Sequence, residues 1–349
     1  MEALGLLVLF LPFFAIAAVA NLAEKRREQG QAHEGAALLT YILIAGLYAL
    51  AFIMGVMLQL AGALMAFQPE LMEAAAATPG VQIESLPLVG LGLWLPAVLG
   101  VAALLPPVRR LLAGFMPIDP QNPVHGAALA LSMLVITNLL ITLGFGLGNL
   151  AEMVAATEGS GAATIAALWL QQALTALLAM VGVGWLIRRD LSGTLARLGI
   201  VMPSGRQWLL GVGLGIALVP VVLGIEYLAS LVGLGADPDV ERLTEELLGS
   251  LFTSPLGILT VGLSAALGEE TLFRGALLPR FGIIVTSLLF ALVHSNYGIT
   301  ISTLVVFLLG LVLAWVRLRH NTTTAMALHA VYNMTLGLLA YLSASLLDF

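Results

Sequence analysis

Long apolar runs, separated by short stretches of polar, basic or proline-containing positions, recur from one end of the chain to the other. Leu4–Leu22 and Ala36–Phe67 are the first two, and each meets the requirement of about 20 predominantly apolar residues for crossing a bilayer. The pattern predicts helical spans at 3–22, 36–66, 87–105, 127–150, 162–187, 209–234, 255–277, 282–295, 298–317 and 324–347. The eighth is short for a full crossing and also fits a half-buried helix. A soluble helix shows a polar face opposite its apolar stripe, and these runs have none. The expected fold class is therefore all-α: a polytopic membrane protein of about eight to ten transmembrane segments.

Composition agrees, with 60% of residues hydrophobic and 10% charged among 349. Cysteine is absent, which excludes disulfides, thiolate zinc sites and a cysteine nucleophile. No basic patch is large enough for nucleic acid. What matters in such a chain is where the charges lie. Threaded through ten spans, Lys25, Arg26, Arg27, Arg109, Arg110, Arg188, Arg189, Arg197, Arg206, Arg274, Arg280, Arg317 and Arg319 fall on one face, leaving Arg242 on the other. The positive-inside rule makes that face cytoplasmic. Glu70, Glu73, Glu84, Glu152, Glu158 and the acidic stretch 237–246 then lie outside. The expected location is a bacterial plasma membrane, with both termini extracytoplasmic. The N-terminus carries its basic cluster after the apolar run, so it reads as a retained span rather than a secretory signal.

Two proline-rich stretches, Gln68–Pro87 and Pro106–Gly126, read as connectors, and Arg188–Trp208 separates the first five spans from the last five. The chain divides into N-terminal helices of unassigned role at 1–200 and a second unit at 201–349, whose motifs run from 269 to 333. In the first unit the polar residues within spans are mild: Thr137, Asn138, Asn149, Gln171 and Gln172. Amides of this kind mostly hydrogen-bond neighbouring helices together. Span six carries Glu226, which stays outside the candidate site.

The second unit concentrates ionisable groups in apolar surroundings. Gly268-Glu269-Glu270-Thr271-Leu272-Phe273-Arg274-Gly275 places three charges within six residues, where each costs roughly 2.5–3.5 kcal/mol at bilayer depth. On a helix, side chains four apart share a face, so Glu270 and Arg274 are expected to pair. Glu269 points elsewhere, which leaves its carboxylate for general-base work. Of five histidines, His33, His125 and His320 are expected to be solvated, whereas His294 and His329 sit in apolar segments. Phe290 precedes His294 by four residues, and Asn333 follows His329 by four. One glutamate, two histidines and an asparagine from three helices suit water activation and oxyanion stabilisation.

In this order, Glu269-Glu270-x-x-x-Arg274, Phe290-x-x-x-His294 and His329-x-x-x-Asn333 resemble the three signature motifs of the CPBP family, which includes type II CAAX prenyl endopeptidases and Abi-type bacteriocin-processing proteins. The resemblance covers about residues 255–347. It implies an intramembrane endopeptidase in which Glu269 activates water and His294, His329 and Asn333 position it or stabilise the oxyanion, with Glu270, Arg274 and Phe290 in support. It also implies a membrane-associated peptide or protein substrate, prenylated or bearing a leader peptide. Two histidines and a glutamate can hold a catalytic Zn2+, with His294 and His329 as the ligands. The helical His-Glu-x-x-His arrangement is absent, and a metal-independent glutamate mechanism stands beside the zinc one. The competing function is a non-catalytic membrane protein: a transporter, or a bacteriocin immunity or scaffold protein.

Overall fold

The structure is a computed structural model that describes residues 2–68, 85–156, 161–235 and 237–347. Glu70, Glu73, Glu84, Glu158 and most of the connector 68–87 lie outside these residues. The fold is helical throughout, with no named strand among the described residues. In chain order the helices are α1 (Glu2–Glu28), α2 (Glu34–Ala66), α3 (Leu86–Ala102), α4 (Pro106–Leu112), α5 (Pro123–Leu131), α6 (Met133–Phe145), α7 (Leu147–Ala155) and α8 (Gly161–Gly182). Then come α9 (Leu191–Leu198), α10 (Gly205–Leu231), α11 (Pro238–Leu248), α12 (Pro255–Glu269), a π-helical segment (Glu270–Leu277), α13 (Leu278–Val293), α14 (Ile301–Arg319) and α15 (Thr322–Leu347).

Among the described residues, eight helical stretches are long and apolar enough to cross a membrane, or nine if α3 and α4, bent by 89°, form one span. Large apolar side chains such as Leu60, Ile53, Leu228 and Ile284 stay exposed along them, as expected of surfaces that meet lipid. The protein is therefore a polytopic all-α membrane protein. Three of the ten expected spans differ in form. The third is a 17-residue helix, too short by itself, that ends where Pro106 and Pro107 start a new helix at a sharp angle. The seventh and eighth follow each other without an intervening loop, within Pro255–Val293. That stretch nonetheless doubles back. A straight helix would separate Glu269 from His294 by about 37 Å, yet their side chains lie 3.7 Å apart. The reversal sits at Gly282, whose φ of 74° and ψ of 176° belong to a region open essentially to glycine alone.

Helix starts follow local chemistry. Ser204 and Gln207 form a reciprocal capping box at the head of α10, and the Asn122 side chain accepts from the backbone N–H groups of Val124 and His125 at the head of α5. Between helices, small residues allow close approach. A Cβ on Gly55 of α2 would lie 2.6 Å from the Gly90 carbonyl oxygen on α3. Helix α2 packs on α3, α3 on α6, α10 and α12 on α15, and α13 on α14. Helix α8 joins the two halves, packing on α1 on one side and on α12 and the π segment on the other. That join positions the site.

Candidate active site

The acidic motif straddles a change of helix type. Glu269 is the last residue of α12, and Glu270 opens the π segment that carries Arg274 and Gly275. A π turn is rare, and it frequently marks a functional site. The expected pairing survives it: Arg274 Nη1 donates to Glu270 Oε1 at 2.9 Å, and both side chains are fully buried. Glu270 Oε1 also accepts from His329 Nδ1 at 2.8 Å. The Arg274 guanidinium lies 4.0 Å from the centroid of the Phe290 ring, and its Nη2 donates to the Gly310 carbonyl at 3.3 Å. A buried glutamate thus meets an arginine and a histidine, and the arginine rests on an aromatic face.

Glu269 points the other way, and its surroundings differ. Its Oε1 accepts from Gln172 Nε2 of α8 at 3.2 Å. Its Oε2 lies 3.7 Å from His294 Nε2 and has no hydrogen-bond partner among the described residues. The side chains of Glu269 and His294 are 16% and 25% exposed, against 0% for Glu270 and Arg274. Only the first pair therefore meets solvent. His294 caps the end of α13, and its Nδ1 lies 2.7 Å from the Phe290 carbonyl oxygen. A carbonyl can only accept, so Nδ1 carries a proton, and in the neutral form of the ring Nε2 presents a lone pair. The Tyr297 ring stacks parallel to His294.

Phe290 separates the two groups. It is 1% exposed and meets Phe273, His294 and His329 edge-on, with centroids 5.3, 4.9 and 5.9 Å away. The expected four-residue cluster is thus divided. Glu269 and His294 come together on the wall of a cavity of about 750 Å³, whereas His329 is drawn to Glu270 behind Phe290. Neither His329 nor Asn333 lines that cavity, and the Asn333 side chain makes no hydrogen bond among the described residues. The cause is rotational: the face of α15 that carries His329 turns toward the buried carboxylate of the π segment.

The same geometry bears on zinc. Among the described residues no three histidine, aspartate or glutamate side chains are grouped so that they could hold an ion. The expected set of Glu269, His294 and His329 does not supply the three protein ligands of a catalytic zinc.

Three features were hidden from sequence reasoning. Gln172, which reads there as an amide between helices, bonds the candidate base. The space it occupies depends on Gly268: a Cβ there would lie 2.0 Å from Gln172 Oε1 and 2.8 Å from its carbonyl oxygen. Gly268→Ala is expected to force α8 away from α12 at a cost of roughly 1–3 kcal/mol and to lower activity together with thermal stability. A variant with wild-type melting and rate would show that Glu269 does not need Gln172 in place. Asn296, in the turn after His294, lines the cavity beside Glu269 and His294. The same turn is held by Asn138 Nδ2, which donates to Ser295 Oγ at 2.8 Å, and by Thr142, 2.9 Å from the same oxygen. Finally, Phe10, Phe13 and Ile16 of α1 and Leu134 and Val135 of α6 line the cavity, so the N-terminal helices form its wall. His125, expected to be solvated, is buried, and its Nδ1 accepts from the Asp119 backbone N–H at 2.9 Å.

Comparison with known proteins places the resemblance on the same helices. The family model described as type II CAAX prenyl endopeptidase Rce1-like matches residues 251–335, from just before α12 into α15. An Escherichia coli protein described as an uncharacterized 24.3 kDa protein is 32% identical over 165 residues, covering 44% of this chain and 73% of its own length. No solved structure matches the chain significantly.

Proposed function

We propose that this chain, which belongs to the CPBP family that includes the type II CAAX prenyl endopeptidases, hydrolyses a peptide bond within the membrane using a water activated by Glu269. The observation that carries this reading is the pairing of Glu269 Oε2 with His294 Nε2 at 3.7 Å on the wall of a large cavity. Both atoms are hydrogen-bond acceptors when the histidine is neutral, and they are too far apart to bond each other. A water between them can donate one hydrogen to each and keep a lone pair free. In the reaction Glu269 takes a proton as the water oxygen attacks the scissile carbonyl, and the tetrahedral oxyanion forms. Collapse of that intermediate breaks the C–N bond, and the proton passes to the leaving amine.

Gln172 holds the second oxygen of Glu269 and fixes the plane of the carboxylate. Asn296 supplies a side-chain amide on the same wall, where an oxyanion donor is needed. Asn296→Ala is expected to lower kcat by about 10²–10³-fold, the usual cost of losing one such donor, with little change in KM. An unchanged kcat would return that role to Asn333. His329 acts as a positioning residue, holding Glu270 in the buried cluster behind the reacting pair. No step is routed through a metal. Cleavage by the purified protein is expected to persist after dialysis against dipicolinate; loss of activity with recovery on adding zinc would overturn the metal-free route.

The apolar wall formed by Phe10, Phe13, Ile16, Leu134 and Val135 supports a membrane-associated substrate, prenylated or bearing an apolar leader segment. The distribution of basic residues supports a bacterial plasma membrane with both termini outside. In this reading residues 201–349 supply the reacting groups and residues 1–200 the enclosing wall. The test compares membrane proteomes of cells carrying the wild type and Glu269→Gln. A peptide whose new C-terminus arises only with the wild type supports hydrolysis, whereas identical termini in both would favour a transporter or a scaffold protein.

A further inference from the structure

Arg109 of α4 is buried without a counter-charge. It is 5% exposed, lies outside the cavity that holds Glu269 and His294, and forms no ion pair among the described residues. Its Nη1 donates to the Tyr41 hydroxyl of α2 at 3.1 Å, and its guanidinium carbon lies 5.4 Å from the centroid of the same ring. Its Nε has no hydrogen-bond partner among the described residues. Gly126 makes room for it: a Cβ there would lie 3.2 Å from Nη1 and 3.5 Å from Cδ. The carboxylates at this end of the bundle are engaged elsewhere. Arg27 holds Glu24 and Asp119, Arg188 holds Glu28, and Glu34 accepts from the His33 backbone N–H. A buried charge calls for a partner, and no described carboxylate supplies one.

The setting selects the kind of anion. Helix α4 is bent by 89° from α3, so it runs along the end of the bundle rather than through the membrane. Arg110, the next residue, is exposed and holds only a long bond from Nε to the Pro106 carbonyl, at 3.4 Å. It lines a cleft of about 410 Å³ together with Pro106, Pro120, Gln121 and Asp119, whose carboxylate Arg27 already neutralises. Leu111 and Phe115 stay exposed at the end of the same helix. A short element lying in the membrane plane, with arginine beside exposed leucine and phenylalanine, has the make-up of an interfacial segment. Basic pockets between transmembrane helices at such a surface take anionic lipid headgroups. A lipid brings a phosphate to the arginines and acyl chains to the apolar side chains, whereas a free anion would meet the arginines alone.

We propose that Arg109 and Arg110 form a binding site for the phosphodiester of an anionic phospholipid. The exposed Arg110 fork donates to phosphate oxygens, Arg109 behind it supplies fixed positive charge, and the acyl chains lie along Leu111 and Phe115. Bound lipid thereby ties α4 to the membrane surface. The site is separate from the reacting pair and does not depend on hydrolysis.

The test is lipid retention by the full-length protein in detergent, read by native mass spectrometry. Dioctanoyl phosphatidylglycerol and dioctanoyl phosphatidylcholine are offered in equal amounts; both carry a phosphate, but only the first carries a net charge. Two arginines at the membrane surface correspond to a preference of roughly 30-fold for phosphatidylglycerol, and loss of either should cut it about fivefold. Arg110→Gln alters an exposed side chain, so thermal melting should stay unchanged while the preference falls. Arg109→Gln should lower it by a similar factor, and Arg109→Lys, which keeps the charge, should retain most of it. If Arg109→Gln fails to fold, Arg110→Gln decides alone. Equal retention of the two lipids by the wild type overturns the proposal, as does a preference that survives Arg110→Gln. Displacement of phosphatidylglycerol by an equal concentration of inorganic phosphate overturns it too, because the site would then serve a free anion.

Discussion

Glu269→Gln is expected to lower peptide cleavage by a factor on the order of 10²–10⁴, the typical contribution of a general base, while leaving the fold unchanged. The two parts of that expectation have separate physical grounds. Gln172 Nε2 donates to Glu269 Oε1 at 3.2 Å, and an amide oxygen accepts that bond as a carboxylate oxygen does. The replacement has the same shape, so α8 stays seated on α12 over Gly268. What disappears is the ability to take a proton beside His294 Nε2. The glutamine side chain presents either an oxygen of low basicity or an NH2 group, and neither deprotonates water. The measurement is single-turnover cleavage by the purified variant, with thermal melting as the control. Wild-type cleavage by this variant would remove Glu269 from the chemistry altogether. A loss of melting temperature alongside activity would make the residue structural.

The second large effect lies one residue further on and has the opposite signature. Arg274→Ala or Glu270→Ala is expected to destabilise the protein by roughly 3–5 kcal/mol, because removing one member of a buried pair leaves the other charge uncompensated. Both side chains are fully buried, so water cannot replace the missing partner. Glu270 has a second partner in His329 at 2.8 Å, whereas Arg274 keeps only the Gly310 carbonyl and the Phe290 ring. Glu270→Ala should accordingly be the worse of the two, since it strands an arginine and releases His329 as well. Loss of the arginine also removes the cation from the Phe290 face, and Phe290 spaces His294 from His329. Activity should therefore fall with stability, in proportion to the fraction folded. An unchanged melting temperature combined with lost cleavage would instead put this pair in contact with substrate.

Much of this architecture is legible in the order of residues, and the legible parts share one property. The apolar runs predict helices because every backbone group at bilayer depth must be bonded within its own segment. Glu270 and Arg274 pair because a four-residue spacing brings side chains together on a single helix. Phe290 lies beside His294 for the same reason. These are local relations, fixed by rise and twist along one element. That Glu269 points away from Glu270 follows from the same periodicity, and the π segment that begins at Glu270 does not undo it. The CPBP motifs sit on those helices, so family and fold class can be read together.

The relations between helices are not legible in that way. Nothing in the order of residues says that His329 turns to Glu270 rather than to Glu269. Nothing says that Gln172, nearly a hundred residues earlier, meets the base. Such contacts depend on how each helix is rotated and how closely it approaches its neighbours. Here they depend on Gly268, which lets α8 press against α12, and on Gly282, which folds α13 back so that His294 returns to Glu269. The first five spans carry no motif, and their part as the cavity wall emerges only when α1, α6 and α8 close around the reacting pair. Helices, membrane setting and the pairing of Glu270 with Arg274 rest on spacing within one segment, and the family on three such local motifs taken in order, so the order of residues suffices to dictate them. Which histidine serves which glutamate is settled by packing across segments, and so it becomes visible only once the helices are folded against one another.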